Sequence, residues 1–380
     1  MKIASKLPNL ETTIFAVMSA MAHKYNAMNL AQGYPDFKSD ETLMNLVHQA
    51  MLDGKNQYAP MQGTIELRKA ISKKFENLYS TSYHPENEIC VTAGATQAIY
   101  TAMTAIIQQG DEVIVFRPAY DCYVPTIELN GGIPISIQLS KPNYKIDWKE
   151  VEQKISPKTK MIIINTPHNP SGTVLSKEDL EQLQALTANT NIIVLSDEVY
   201  EHIIFDGKQH QSACLFPELK KRSFITASFG KTFHNTGWKM GYCCAPKELM
   251  EEFYKVHQFN VFSVNHPVQV ALSEYLETPN HYQDLSGFFQ QKRDFFLGLI
   301  KDSRFKFTPS KGTYFQSLDY SNITDNNDFE FAKELTIEKG LASIPISVFN
   351  LNKLDHKMLR FCFAKTDDTL VKAAEIINAI

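Results

Sequence analysis

The chain has 380 residues, with 38 Lys and Arg against 42 Asp and Glu and a formal net charge of -4. That near-balance leaves no electrostatic footprint for nucleic acid or an anionic membrane, and no apolar run approaches the roughly 18 residues that would cross a bilayer. The length exceeds what one simple core holds and calls for two domains. The amino terminus has no apolar stretch behind its first lysine, so we expect no secretory signal and a cytoplasmic location. Six cysteines lie scattered without CxxC spacing, which suits reduced, buried thiols better than a metal site or a disulfide framework.

In chain order, Ile89-Cys90-Val91 reads as a strand ending at Thr92-Ala93-Gly94. A helix follows, with Ile99, Ala102, Met103, Ile106 and Ile107 on one face. Further β-rich runs are Glu112–Phe116, Met161–Ile164, Ile192–Leu195 and Ser223–Thr226. They show little polar alternation, so both faces of each strand should be buried, as in a mainly parallel sheet covered by helices. Ser176 and Asp179 can open a helix carrying Leu180, Leu183 and Leu186. From about residue 285 the pattern turns to helices mixed with short strands, Gly312–Phe315 and Met358–Phe363. We expect a large α/β domain over 43–284 and a smaller α+β domain from 285–380, completed by 1–42.

Several polar segments close the expected strands, where open α/β sheets hold their ligands. Lys231 stands just past Ser223–Thr226, amid Ser228, Gly230 and Thr232. A lysine in a partly desolvated site loses its proton more readily and can attack a carbonyl; pointing to water is the plain alternative. Asp197 ends another buried run, where a carboxylate needs a cation or donors; capping the next helix is its plain alternative. Gly94-Ala95-Thr96 opens a helix whose free N–H groups can hold an anion. Arg360, between Leu359 and Phe361, is costly unless something anionic meets it.

Together these segments resemble the fold-type I pyridoxal-phosphate (PLP) enzymes, specifically the class I/II aminotransferases. The resemblance runs from Asn29-Leu30-Ala31-Gln32-Gly33-Tyr34-Pro35-Asp36-Phe37 to Arg360-Phe361-Cys362-Phe363-Ala364-Lys365. It implies the aspartate aminotransferase-like fold, with a mainly parallel seven-stranded sheet in the large domain. It makes Lys231 the residue of the internal aldimine, which moves a proton once substrate displaces it. Asp197 would pair with the pyridinium nitrogen, Asn169 and Tyr200 with the phenolic oxygen, and Tyr120 would stack on the ring. Gly94, Ala95, Thr96, Ser228 and Lys239 would hold the phosphate. Lys239 stands where many relatives carry arginine, a change that keeps the charge but loses the planar fork, as in the methionine and kynurenine aminotransferase branch. Tyr58 would reach the phosphate from a partner subunit, making the enzyme a homodimer. Arg360, with Gly33 and Asn169, would grip the substrate α-carboxylate.

Relatives acting on acidic substrates add a second arginine. The matching stretch here, Asn260–Asn265, has no basic residue. Tyr34, Phe37, Phe262 and Phe349 could instead wall an apolar pocket or be plain core. The chain looks most like bacterial methionine aminotransferases. The resemblance therefore implies transfer from methionine, and from aromatic amino acids, to a 2-oxo acid through pyridoxamine phosphate. The alternative is kynurenine aminotransferase or cysteine-S-conjugate β-lyase activity at the same site.

Overall fold

The computed structural model describes residues 3–380. Met1 and Lys2, part of the stretch read for a secretory signal, lie outside the described residues. The strands in chain order are β1 (Met28–Asn29), β2 (Ile89–Thr92), β3 (Glu112–Arg117), β4 (Ile133–Gln138), β5 (Thr159–Asn165) and β6 (Ile193–Asp197). They continue with β7 (Ser223–Ser228), β8 (Gly241–Cys244), β9 (Phe315–Asp319), β10 (Leu341–Ala342), β11 (Ile344–Pro345) and β12 (Met358–Cys362).

Seven strands form one sheet in the order β2-β8-β7-β6-β5-β3-β4. Only the pairings of β8, with β2 and β7, are antiparallel. Its centre is apolar on both faces, as the unbroken Ile/Val runs imply: Val113, Ile114, Ile162, Val194 and Ile225 are at most 1 % exposed. Burial of each such side chain contributes about 1.5–3 kcal/mol. Helices cover both faces, among them Ala95–Ile106, which packs on β7 and β8. The Lys177–Thr187 helix begins with the expected reciprocal cap, Ser176 Oγ accepting from Asp179 N and Asp179 Oδ2 from Ser176 N.

A three-stranded antiparallel sheet, β11-β12-β9, lies in the carboxyl-terminal part, and β1 pairs with β10 there. The strand expected at Gly312–Phe315 starts only at Phe315. Thr313 adopts φ 65°, which breaks extended backbone just before it. No helix among the described residues is long and apolar enough to cross a membrane.

Candidate active site

Parallel strands that end on one side bring their following loops together. At that edge lies a cavity of about 320 Å³. Its walls include Gly94, Ala95 and Thr96 after β2, Tyr120 after β3, Asn169 after β5, Asp197 and Tyr200 after β6, and Ser228 and Lys231 after β7. Gly33, Tyr34, Phe315 and Arg360 close it from the other part of the chain.

Lys231 sits on a short helical turn, Phe229–Thr232, whose first free N–H groups are met by Ser228 Oγ, 3.3 Å from Lys231 N. Its Nζ donates to Gly33 O at 3.2 Å and has no carboxylate at ion-pair distance. Enclosure disfavours the ammonium, and the neighbouring Arg360 and Lys239 push the same way, bringing Lys231 down to about 8. Asp197 is 3 % exposed. Burial lifts its carboxyl to about 6, although Tyr123 OH donates to Oδ2 at 2.5 Å and Val199 N to Oδ1 at 3.3 Å. The pair thus offers an amine that readily gives up its proton near a carboxylate still short of a cation.

Arg360 is 1 % exposed on β12. It donates from one terminal nitrogen to Asn169 Oδ1 at 2.7 Å and from the other to Ala31 O at 3.0 Å. Its guanidinium lies 3.9 Å from the Phe315 ring centroid, and its Nε has no partner. Burial lowers its hold on the proton, yet an arginine stays charged. Held by Asn169, Ala31 and the Phe315 ring, this cation is oriented before any anion arrives.

The Ala95–Ile106 helix has Gly94 as N-cap, at φ 77° and with no side-chain cap. Its first N–H groups therefore remain free to meet an anion. A Cβ on Gly94 would stand 3.4 Å from Lys239 Nζ, and one on Gly241 would come within 2.9 Å of Ala95 N. Both glycines keep the cradle open, with the ammonium of Lys239 beside it.

The family model for aminotransferase class I and II matches residues 25–377. The chain is 47 % identical to the methionine aminotransferase of Escherichia coli strain K12 over 377 residues, covering 99 % of this chain and 98 % of that one. It is 34 % identical to human kynurenine–oxoglutarate transaminase 3 over 407 residues, covering 99 % and 90 %. An Escherichia coli crystal structure reported to identify a methionine aminotransferase function superposes with a TM-score of 0.98, at 46 % identity and full coverage of both chains.

The chain belongs to the class I and II aminotransferases.

It is accordingly a PLP-dependent transaminase with the aspartate aminotransferase-like fold. The aminotransferase has what that cofactor asks for: an amine without an ion-pair partner, a carboxylate short of a cation, and a glycine-opened anion cradle.

Tyr58, expected to act in the partner's site, and Phe262 do not line the cavity of their own chain. They lie on the outer surface, 82 % and 47 % exposed, with rings 5.4 Å apart edge to face. Phe37 and Phe349, read as either an apolar pocket wall or plain core, do not line the cavity either. Phe37 packs against His234, Phe288 and Phe289, and Phe349 is 3 % exposed beside Phe15. Of the four aromatic candidates only Tyr34 reaches the cavity. Residues that sequence reasoning missed are Phe15 and Gln32, which line it, and Tyr123, which holds Asp197. Tyr123 carried one usable signal, its place three residues after Tyr120 at the start of a helix (Tyr123–Leu129). Phe15 carried none, since its helix, Ile14–Lys24, reads simply as amphipathic.

Proposed function

We propose that this aminotransferase takes its amino group from methionine and from aromatic amino acids, kynurenine included, and delivers it to a 2-oxo acid. The observation that carries the reading is a single cavity holding Lys231, Asp197 and Arg360, with no further cation among the described residues on its walls than Lys239. An acidic donor would need a second cation for its side-chain carboxylate. A thioether or an aromatic ring needs an apolar wall, which Phe15, Tyr34 and Phe315 supply.

In this reading Gly94, Ala95, Thr96, Ser228 and Lys239 hold the cofactor's phosphate, and Tyr120 covers its ring. Asp197, kept in place by Tyr123, keeps the pyridine nitrogen protonated, and Asn169 and Tyr200 hold the phenolic oxygen. When bound, PLP supplies the electron sink and the carbonyl carbon on which nitrogen passes between the two acids. Arg360 grips the donor's α-carboxylate, aligned by Asn169 Oδ1 and assisted by Gly33. Lys231 Nζ then removes and returns the proton at Cα. With its affinity set near pH 8, roughly one molecule in ten carries it neutral at pH 7, and the rest need only a small bias from the bound ligand. Phe15, whose ring centroid lies 5.3 Å from the Arg360 guanidinium, adds an apolar wall beside the gripped carboxylate.

The same reading divides the chain into a cofactor-holding part, 43–284, and a part, 1–42 with 285–380, that supplies the carboxylate grip. It also takes the exposed aromatic face of Tyr58, Phe259 and Phe262 as one side of a homodimer, with Tyr58 completing the partner's phosphate site. Six free thiols suit a reducing cytoplasm.

Absorbance of the PLP-loaded enzyme tests this directly. L-Methionine alone should bleach the yellow band to the pyridoxamine form, and a 2-oxo acid should restore it. Aspartate turning over faster than methionine would overturn the donor assignment. A protein that stays colourless with added PLP would overturn the role of Lys231.

A further inference from the structure

The turn after β6 carries four functional-looking side chains on two faces. Asp197 and Tyr200 line the cavity. Glu198 and Glu201, each one residue further along, are 1 % and 7 % exposed on the other side. Glu198 accepts from Ser196 Oγ at 2.7 Å and Ala213 N at 3.0 Å, and lies 2.8 Å from His210 Nε2. Glu201 receives Lys74 Nζ at 2.6 Å, Tyr79 OH at 2.8 Å and Tyr242 OH at 3.0 Å. Lys74 is 3 % exposed on the helix Ile65–Tyr79, and its Nζ is also 2.6 Å from Tyr242 OH on β8.

Stability alone does not explain this cluster. A buried ion pair is often matched or bettered by an apolar pair of similar volume, because both charges lose their water. What the cluster adds is direction: three charge-assisted bonds, from Lys74, Tyr79 and Tyr242, pin one carboxylate. Burial pushes the Glu201 carboxyl up, but Lys74 and His202 reverse that and hold it at about 2, so the pin stays charged across the working range. One peptide unit separates that carboxylate from Tyr200. The turn has little slack, since Glu201 N donates to Glu198 O at 2.9 Å and Ile203 N to Tyr200 O at 2.8 Å.

We infer that Lys74, acting through Glu201, is a positioning residue that sets the Tyr200 hydroxyl against the cofactor's phenolic oxygen. This rests on the reading of Tyr200 given above. It gives the Ile65–Tyr79 helix, which contributes no side chain to the cavity, a share in tuning the cofactor. The groups that face Tyr200 are Lys231, 5.8 Å from its ring, with Tyr314, Arg360, Cys362 and Asp197. None of them is altered in the test.

A hydroxyl donating to the phenolic oxygen favours the deprotonated form, so losing that donation raises the pH midpoint of the bound cofactor's colour change. The experiment titrates PLP-loaded wild type, Tyr200→Phe, Glu201→Gln, and the paired Lys74→Met/Glu201→Leu variant, which leaves no orphan charge. Tyr200→Phe should shift the midpoint most. Glu201→Gln and the paired variant should shift it upward by about 0.5 unit, a roughly threefold change in proton affinity, with donor KM held within twofold. A purely structural cluster would lower the melting temperature and leave the midpoint of the folded enzyme where it was, and that result overturns the inference. If Glu201→Gln does not fold, the paired variant decides. If Tyr200→Phe itself leaves the midpoint unmoved, the role of Tyr200 falls first and the inference falls with it.

Discussion

The inner wall of the cavity and the outer face at Tyr58 use aromatic and charged groups in opposite ways. Inside, Asp197 and Arg360 are 3 % and 1 % exposed, and each is held by named donors or acceptors. Outside, Tyr58 and Phe259 are 82 % and 85 % exposed, and the nearest aromatic neighbour of Tyr58 is another exposed ring, Phe262. Buried polar groups are costly until satisfied, so the chain completes the inner wall itself. Exposed rings cost little one by one but form a patch that gains from being covered. The inner site is therefore prebuilt, while in the dimer proposed above a second surface would cover the outer one.

Removing the inner amine should have the largest effect. Lys231→Ala should abolish the yellow band and cut transamination by about 10⁴-fold or more, since nucleophile and proton carrier are lost together. Turnover within tenfold of wild type would put the chemistry on another residue.

Mixing two defective chains sharpens the outer half of the comparison. Tyr58→Ala alone should weaken PLP binding by about tenfold, the worth of one hydrogen bond to a charged group. Refolding it with Lys231→Ala should restore native PLP affinity to the active sites, because one site of each mixed dimer then has both native groups. No recovery in a mixture shown to contain mixed dimers would mean that each chain uses its own Tyr58.

A further effect is thermodynamic and concerns Asp197 in the cofactor-free protein. Its carboxyl titrates near 6 when folded and near 3.9 when unfolded, so the folded state holds the extra proton between those values. Stability contributed by the protonated form is present below about pH 4 and is lost as pH rises through 6, by up to about 3 kcal/mol. Asp197→Asn removes that loss. Its melting temperature relative to wild type should therefore be more favourable at pH 7 than at pH 4 in the apoenzymes, and a pH-independent difference would contradict the burial argument.

Much of the sheet was readable because its central strands are unbroken Ile/Val runs that only a doubly covered sheet can bury. Two strands gave weaker signals. β4 carries Pro134 and lies at the sheet edge, where a missing N–H is tolerated. β8, Gly-Tyr-Cys-Cys, has no β-branched residue and is paired on both sides only through the fold. The polar residues at and just past the strand ends stood out for a similar reason: Asp197 closes β6, and Asn169 and Lys231 follow β5 and β7 within four residues, where polarity needs a purpose.

By itself the sequence determined which chemical groups stand at the strand ends and in what order, since short-range pattern fixes strands, caps and the polar residues that stop them. Tertiary structure alone decided which of those groups meet. Arg360 and Asn169 are 191 residues apart, and Lys74 and Glu201 are 127 apart. It also decided that Phe37 packs against His234 and Phe288, that Phe349 is core and that Phe15 faces the cavity, because an aromatic side chain carries no mark of the surface it will bury against until the layers have packed.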